Sequence, residues 1–298
     1  MPELPDITLY IEALRARILG RRLERVRVLS PFLLRSVDPP IDVVKDMRVT
    51  DFERIGKRIA IGFENGVWLV LHLMIAGRLQ WRAAWPSSFT RVMALALGFD
   101  NGVLLLTEAG TKKRASLNVV GSRAGLSAHQ PGGIELDRLT AEKFESLLKR
   151  GNHTLKRALT DPRLISGIGN AYSDEILHRA RLSPVTLTSR LTSEESARLL
   201  AAAREVLAAW LVRLRDKAHG EFPSKVTAFH DEMAVHGKFG KPCPVCQTKV
   251  QRVRYADNET NYCPRCQTNG RLLADRSLSR LLKKDWPKSI DELEQLQS

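Results

Sequence analysis

The spacing of apolar residues predicts a helix followed by several short strands. Near the start, apolar residues recur at helical intervals, at Ile7, Tyr10, Ile11, Leu14 and Ile18. From Leu23 to about Thr107, short β-rich runs follow one another, and Glu64-Asn65-Gly66 and Asp100-Asn101-Gly102 are typical of tight hairpin turns. This pattern predicts an N-terminal helix and an antiparallel β-sandwich.

The pattern becomes helical again after a Gly-, Ser- and Pro-rich stretch, residues 121–133, which we interpret as a linker. The capping-box sequence Thr192-Ser193-Glu194-Glu195 predicts a long helix that ends near Lys217. Before it lies Gly167-Ile168-Gly169-Asn170, where two glycines allow a tight turn and Asn170 can cap a helix and donate to a phosphate. A helix start without a ligand is the alternative. Basic residues on either side favour phosphate binding: Lys149, Arg150, Lys156, Arg157 and Arg163.

All four cysteines lie close together in the sequence, as two Cys-x-x-Cys pairs: Cys243, Cys246, Cys263 and Cys266. Four thiolates with this spacing suit tetrahedral zinc and leave no open coordination position. We therefore expect one structural zinc ion in a small finger, with a basic β-hairpin between the two pairs.

The net charge of +14 favours a polyanionic partner, most simply a nucleic acid. No apolar run is long enough to cross a bilayer. Acidic Glu3 and Asp6 occupy the place where a signal peptide carries basic residues. We expect no membrane contact and a cytosolic location.

The first residues, Met1-Pro2-Glu3, can carry an unusual nucleophile. Removal of Met1 would leave Pro2 as a terminal secondary amine, and an α-amino group has a pKa of about 8, so part of it is uncharged at neutral pH. Condensation with a sugar carbon at the aldehyde level gives an iminium, an electron sink like a lysine Schiff base. Glu3 beside it can act as a general acid or base. An ordinary frayed terminus is the alternative.

Three motifs occur together in one order: Pro2-Glu3-Leu4-Pro5, Gly167-Ile168-Gly169-Asn170 and the four cysteines. In this combination the chain resembles the Fpg/Nei family, the formamidopyrimidine-DNA glycosylases and endonuclease VIII enzymes. The resemblance implies an α+β protein with a β-sandwich that carries an N-terminal helix, a helix–two-turn–helix domain and a C-terminal zinc finger. It also implies a damaged-DNA substrate and a flipped-out base.

The resemblance implies roles for individual residues. Pro2 matches the family's nucleophile for C1′ of the damaged nucleotide, and Glu3 matches its general acid/base. Lys57, which by itself looks like an ordinary surface lysine, matches the β-elimination lysine. Lys156 and Asn170 match phosphate-binding residues.

The chain departs from the family pattern at several positions. Ile75 stands where the family has a space-filling methionine, and Met74 comes one place early. Asn258 replaces an arginine that in the family holds phosphate at the lesion and assists δ-elimination. The segment 108–114 has neither the family's wedge phenylalanine nor its arginine. These changes affect the lesion spectrum and the second elimination step.

We interpret the chain as a bifunctional DNA glycosylase and AP lyase of base excision repair. We expect it to act as a monomer, in a bacterial-type cytosol and associated with the nucleoid. Two alternatives stay open: a catalytically weak DNA-damage-binding protein on the same fold, and a zinc-ribbon nucleic-acid module. We expect a catalytic domain at 1–120, a linker at 121–133 and a DNA-binding domain at 134–225. A zinc finger at 236–270 and a tail of unknown role at 271–298 complete the expected organisation.

Overall fold

The computed structural model describes residues 1–223, 226–227, 229–255, 258–274 and 287–296. It divides into two units. The first comprises Met1–Pro131 and Ala208–Ala228, and the second comprises Gly132–Leu207 and Phe229–Ser298.

The first unit contains a β-sandwich and an N-terminal helix. One antiparallel sheet has the strand order β1-β6-β7-β5 and the other has β2-β3-β4-β8. The elements are α1 (Leu4–Ile18), β1 (Leu23–Val28), β2 (Val49–Ile55), β3 (Arg58–Phe63), β4 (Trp68–His72), β5 (Gly77–Arg82), β6 (Met93–Phe99), β7 (Gly102–Glu108) and β8 (Ser116–Val120). The two predicted tight turns join β3 to β4 and β6 to β7, where Gly66 (φ +82°) and Gly102 (φ +152°) adopt conformations that favour glycine.

The main core lies between the two sheets and α1, and smaller apolar clusters cover both outer sheet faces. Tyr10 and Leu14 of α1 are fully buried in the main core. On one outer face Leu126, from a 3₁₀ helix within the predicted linker, packs with Trp68. On the other, Trp85 and Phe89 pack against strand residues. Every residue of β6 is therefore buried, without the alternation of a sheet exposed on one face.

The second unit begins with helices. Short connections separate α2 (Ala141–Lys149), α3 (Leu155–Thr160), α4 (Asn170–Arg179) and α5 (Ser193–Ala218), and the division between the units falls within α5. At the start of α5, Thr192 and Glu195 exchange the two hydrogen bonds of the predicted capping box, at 3.1 Å each.

The rest of the second unit contains the finger. The predicted hairpin is present as β9 (Gln251–Tyr255) and β10 (Asn258–Tyr262), followed by α6 (Pro264–Thr268). Within the tail, α7 (Ile290–Gln295) is described, whereas 275–286 lie outside the described residues. The predicted α+β class, with its sandwich, helical domain and finger, is confirmed. No helix in the described ranges is long and apolar enough to cross a membrane.

Candidate functional site

The amino terminus lies in a buried, charged part of the first unit. Pro2 is buried, and only 2% of Glu3 and 1% of Asp6 are exposed. The Asp6 carboxylate accepts a hydrogen bond from the Glu3 backbone N–H at 2.8 Å, as half of a capping box that starts α1. The cap holds the residue after Pro2 to the rigid start of a helix packed in the core, which positions the terminus.

This environment changes proton affinities in the direction that a nucleophilic amine needs. Burial, with further contributions from Arg78 and Lys57, lowers the pKa of the Met1 amino group, although Glu3 and Asp6 act in the opposite direction. Burial also raises the pKa of the Asp6 carboxyl to about 7. The site therefore combines an amine that gives up its proton readily with a carboxyl that retains one near neutral pH.

Lys57 lies in the turn between β2 and β3, next to Gly56, whose φ is +60°. Burial lowers the pKa of the Lys57 ammonium, and Glu3 partly opposes this effect. The sequence alone suggested an ordinary surface lysine. The structure instead places Lys57 in the same electrostatic environment as the amino terminus and Glu3.

Two residues of this environment were not singled out by sequence reasoning. Arg78 influences the pKa values of the terminus and of Asp6, and its guanidinium donates to the carbonyls of Ile75 and Gly77 at 2.9 and 2.7 Å. His72 ends β4, and burial together with Arg58 and Lys57 lowers its pKa to about 4. A signal was available, since both residues border the loop in which Met74 and Ile75 depart from the family pattern.

The loop between β4 and β5 presents Ile75 to solvent, with 60% of the residue exposed. A Cβ on Gly77 would lie 2.2 Å from the Leu73 carbonyl oxygen, and this close approach allows the Gly77 N–H to donate to that oxygen at 2.9 Å. Met74 has a φ of +52°. The tight loop thus holds an apolar side chain outward at its tip.

In the second unit, α4 begins after a turn in which Gly167 has a φ of +84°. Gly169 is the N-cap and Asn170 the first helical residue, which corrects our expectation that Asn170 caps the helix. The reason is that the Gly169 backbone is extended (φ −131°, ψ −158°) and the helical conformation begins at Asn170. The Asn170 side-chain amide donates to the Glu259 carbonyl of β10 at 3.0 Å. The expected phosphate ligand nevertheless stands in the first turn of a helix, where anions are favoured.

Lys156, the other expected phosphate ligand, is buried in α3 and belongs to a charged network. Its ammonium donates to Asp174 Oδ1 and to the Asn170 carbonyl, both at 2.6 Å. The second oxygen of Asp174 accepts from His236 Nδ1 at 2.8 Å and from the Asn261 backbone N–H at 3.2 Å. One fully buried carboxylate therefore connects α3, β10 and the segment that precedes the finger.

The four cysteine sulfurs all lie within 4.8 Å of one another. Sγ–Sγ distances include 3.9 Å for Cys243–Cys266, 3.3 Å for Cys246–Cys263 and 3.5 Å for Cys246–Cys266. Tetrahedral zinc with Zn–S bonds of about 2.3 Å would place its sulfurs about 3.8 Å apart. The donor set and its spacing fit one structural zinc ion.

The Asn258 backbone begins β10, but its side chain lies outside the described residues. Across the hairpin, Glu259 pairs with Arg252 at 3.3 Å and Arg254 at 3.0 Å. Part of the hairpin's positive charge is thus balanced within the finger.

Comparison with known proteins defines the class to which this fold and these sites belong. Residues 1–111 match the formamidopyrimidine-DNA glycosylase N-terminal domain, residues 133–216 match the H2TH domain of the same proteins, and residues 240–269 match the zinc finger found in FPG and IleRS. The chain therefore belongs to the formamidopyrimidine-DNA glycosylase family.

Curated relatives match along almost their whole length. The formamidopyrimidine-DNA glycosylase of Thermus thermophilus is 32% identical over 91% of this chain and 100% of its own. That of Pelotomaculum thermopropionicum is 31% identical over 90% of this chain and 99% of its own.

Solved structures show the same fold. The crystal structure of the MutM (Fpg) protein from Thermus thermophilus superimposes with a TM-score of 0.73 at 30% identity, covering 89% of this chain and 98% of that chain. A MutM in complex with DNA containing carbocyclic 8-oxo-G gives a TM-score of 0.79 at 22% identity, covering 90% and 100%.

Proposed function

We propose that this chain is a bifunctional DNA glycosylase and AP lyase of base excision repair. The observation that carries the proposal is the buried amino terminus, where Glu3, Lys57 and Arg78 share one electrostatic environment and burial lowers the pKa of the Met1 amino group. Removal of Met1 moves the amine to Pro2, which is more buried than Met1. Family membership and the names of the relatives support a DNA substrate with a damaged base.

The proposed reaction starts with the unprotonated nitrogen of Pro2. Its lone pair forms a bond to C1′ while the bond from C1′ to the base breaks, and the base leaves with a proton. Glu3 acts as general acid/base in this step. The Pro2 nitrogen then loses its proton, the C1′–O4′ bond breaks as O4′ takes up a proton, and an iminium joined to C1′ results.

The iminium then makes the C2′ proton acidic. Lys57, whose ammonium has a lowered pKa, is the proposed group that assists β-elimination: the C2′–H bond breaks, a C1′-conjugated double bond forms, and the C3′–O bond breaks as the 3′ phosphate leaves. Water hydrolyses the iminium and restores the amine of Pro2. The zinc ion is structural and holds the finger.

Several residues are proposed to hold the DNA. The Lys156 ammonium has three N–H donors, two of which bind Asp174 and the Asn170 carbonyl. The Asn170 amide has two N–H donors, one of which binds the Glu259 carbonyl. Each side chain can therefore offer one more donor to phosphate. Ile75, exposed at a loop tip, is proposed to contact the strand near the flipped base. Asn258 contacts DNA from the finger. The protein is also proposed to act as a monomer at the nucleoid. Its proposed domain limits are those predicted from the sequence.

Borohydride trapping tests the chemistry. With a verified free Pro2 amine, reduction should join the protein covalently to abasic DNA, with the adduct on the first residue of the mature chain by mass spectrometry. A retained Met1 should abolish trapping, because the proline nitrogen is then an amide. Lys57→Ala, the matched control, should still trap and be slower in strand cleavage.

Trapping that maps to Lys57, or that fails with free Pro2, would refute the proposal. The alternative, a catalytically weak DNA-damage-binding protein on the same fold, would then remain. The changed Ile75 loop and Asn258 are the sequence features that favour it.

A further inference from the structure

Helix α4 presents a row of three polar side chains to the finger and to the segment before it. Asn170, Asp174 and His178 are spaced four residues apart, which places them on one face of the helix. Asn170 contacts the Glu259 carbonyl and Asp174 contacts the Asn261 N–H, as described above. His178 continues the row to the cysteine cluster itself.

The His178 contact is made by a ring nitrogen. Its Nε2 lies 3.3 Å from Cys243 Sγ, both residues are buried, and 7% of His178 is exposed. A zinc-bound cysteine is a thiolate with no proton to donate. The sulfur can therefore only accept, so Nε2 must carry the hydrogen.

Such a donor matters because four thiolates around one Zn²⁺ leave a net charge of −2 in a partly buried place. A hydrogen bond to a thiolate spreads this charge, and a ligand's hydrogen-bond partner also fixes its orientation. Loss of such partners typically weakens metal affinity by about 10- to 100-fold. Gln267 strengthens the same junction, the contact between α4 and the finger. Its side chain accepts from the Cys263 N–H at 2.8 Å and donates to the Leu182 carbonyl, beyond the end of α4, at 2.9 Å.

We propose that His178 is a zinc-retaining residue, which donates a hydrogen bond from Nε2 to the Cys243 thiolate and thereby attaches α4 to the occupied finger. Four sulfurs already complete a tetrahedral set, so His178 acts through Cys243 and not as a metal ligand. Because Asn170 begins the same helix, the bond also links the metal site to the first turn of α4.

Zinc release from the full-length, zinc-loaded chain tests this role. His178→Phe keeps a planar ring but removes the donor, and transfer of zinc to a chromophoric chelator should become at least about tenfold faster. His178→Gln keeps an N–H donor of similar reach and should stay within about threefold of the unaltered chain. The matched control is His153→Phe, in the same unit but outside this junction, and it should leave the release rate unchanged.

Two results would overturn the proposal. One is a release rate for His178→Phe within twofold of the unaltered chain. The other is equal acceleration by Phe and Gln, which would mean that ring packing and not the hydrogen bond retains zinc.

A measurement on the unaltered chain covers the case in which a variant fails to fold. In the chain loaded with ¹¹³Cd in place of zinc, the imidazole proton of His178 should sit on Nε2 and show scalar coupling to the metal through the Cys243 sulfur. A proton found on Nδ1 alone would contradict the proposal. Direct ¹⁵N–¹¹³Cd coupling would make His178 a ligand and contradict it equally.

Discussion

The buried charge of Asp174 should be worth several kcal/mol to the second unit. Asp174 is fully buried, and its carboxylate lies 2.6 Å from the Lys156 ammonium, of which 6% is exposed. Two unit charges at that separation attract by about 6 kcal/mol at an effective dielectric constant of about 20. Desolvation offsets much of this gain, but removing one partner leaves the other charge buried and costs about 3–5 kcal/mol.

Asp174→Asn keeps the size and one acceptor oxygen, so the lower end of that range, about 3 kcal/mol, is the expected loss. Adding Lys156→Met to it should recover part of this loss, because no uncompensated charge then remains buried. Glu205→Gln is the matched control: its ion pair with Arg179 is also 2.6 Å long, but both side chains are more than half exposed. A surface pair of this kind contributes at most about 1 kcal/mol.

Hydrogen exchange of the α4 amides, measured by mass spectrometry on the zinc-loaded full chain, reports on this unit directly. A loss of about 3 kcal/mol should reduce protection about 100-fold in Asp174→Asn, since each 1.4 kcal/mol is a factor of ten. If protection in Asp174→Asn falls no more than in Glu205→Gln, this prediction is refuted. The pair of Lys156 and Asp174 would then behave like an ion pair in solvent.

Two further predictions concern Asp6 and Asn258. The pKa of Asp6 is raised from 3.8 to about 7, so the folded chain retains a proton that the unfolded chain releases. The free energy of unfolding should therefore fall by up to about 4 kcal/mol as the pH rises from 4 to 7, and then level off. Urea midpoints followed by tryptophan fluorescence should show this fall in the unaltered chain and a smaller one in Asp6→Asn; parallel curves would contradict it. Asn258→Arg should raise the ratio of δ- to β-elimination products on abasic DNA, because arginine can grip phosphate through two N–H groups. Unaltered protein that already gives mainly the δ product on a sequencing gel would show that another residue has this role.

Features set by local backbone preference could be predicted from the sequence. The Asn-Gly turns at Gly66 and Gly102 were predicted because few residues tolerate their φ angles. The capping box at Thr192 and the paired cysteines were equally local, since a few neighbouring residues carry the whole signal. The cap of α4 was assigned one residue late, because the extended residue is Gly169 (φ −131°, ψ −158°) and Asn170 is already helical.

Features that depend on distant partners could not be predicted. Strand β8 pairs with β4, and no sequence periodicity identifies that partner. Asp174 and His178 belong to a helix whose sequence, NAYSDEILHR, looks half exposed, yet almost all of its residues are buried. Their partners His236 and Cys243 lie 62 and 65 residues away in the chain. Polar residues at intervals of four in such a helix are the available signal, but they equally describe a solvated face.

The distinction between features set by neighbouring residues and features set by distant partners also applies to charge. The excess of basic residues predicted a polyanionic partner, but it could not identify which residues contact it. Lys156 is paired with a buried carboxylate, the hairpin arginines with Glu259, and Arg265 with Asp291 at 2.7 Å. Part of the positive charge near the finger is therefore already balanced inside the protein. Net charge identifies the class of partner, whereas the individual contacts depend on where the folded chain places each cation and on which N–H donors its internal partners leave available.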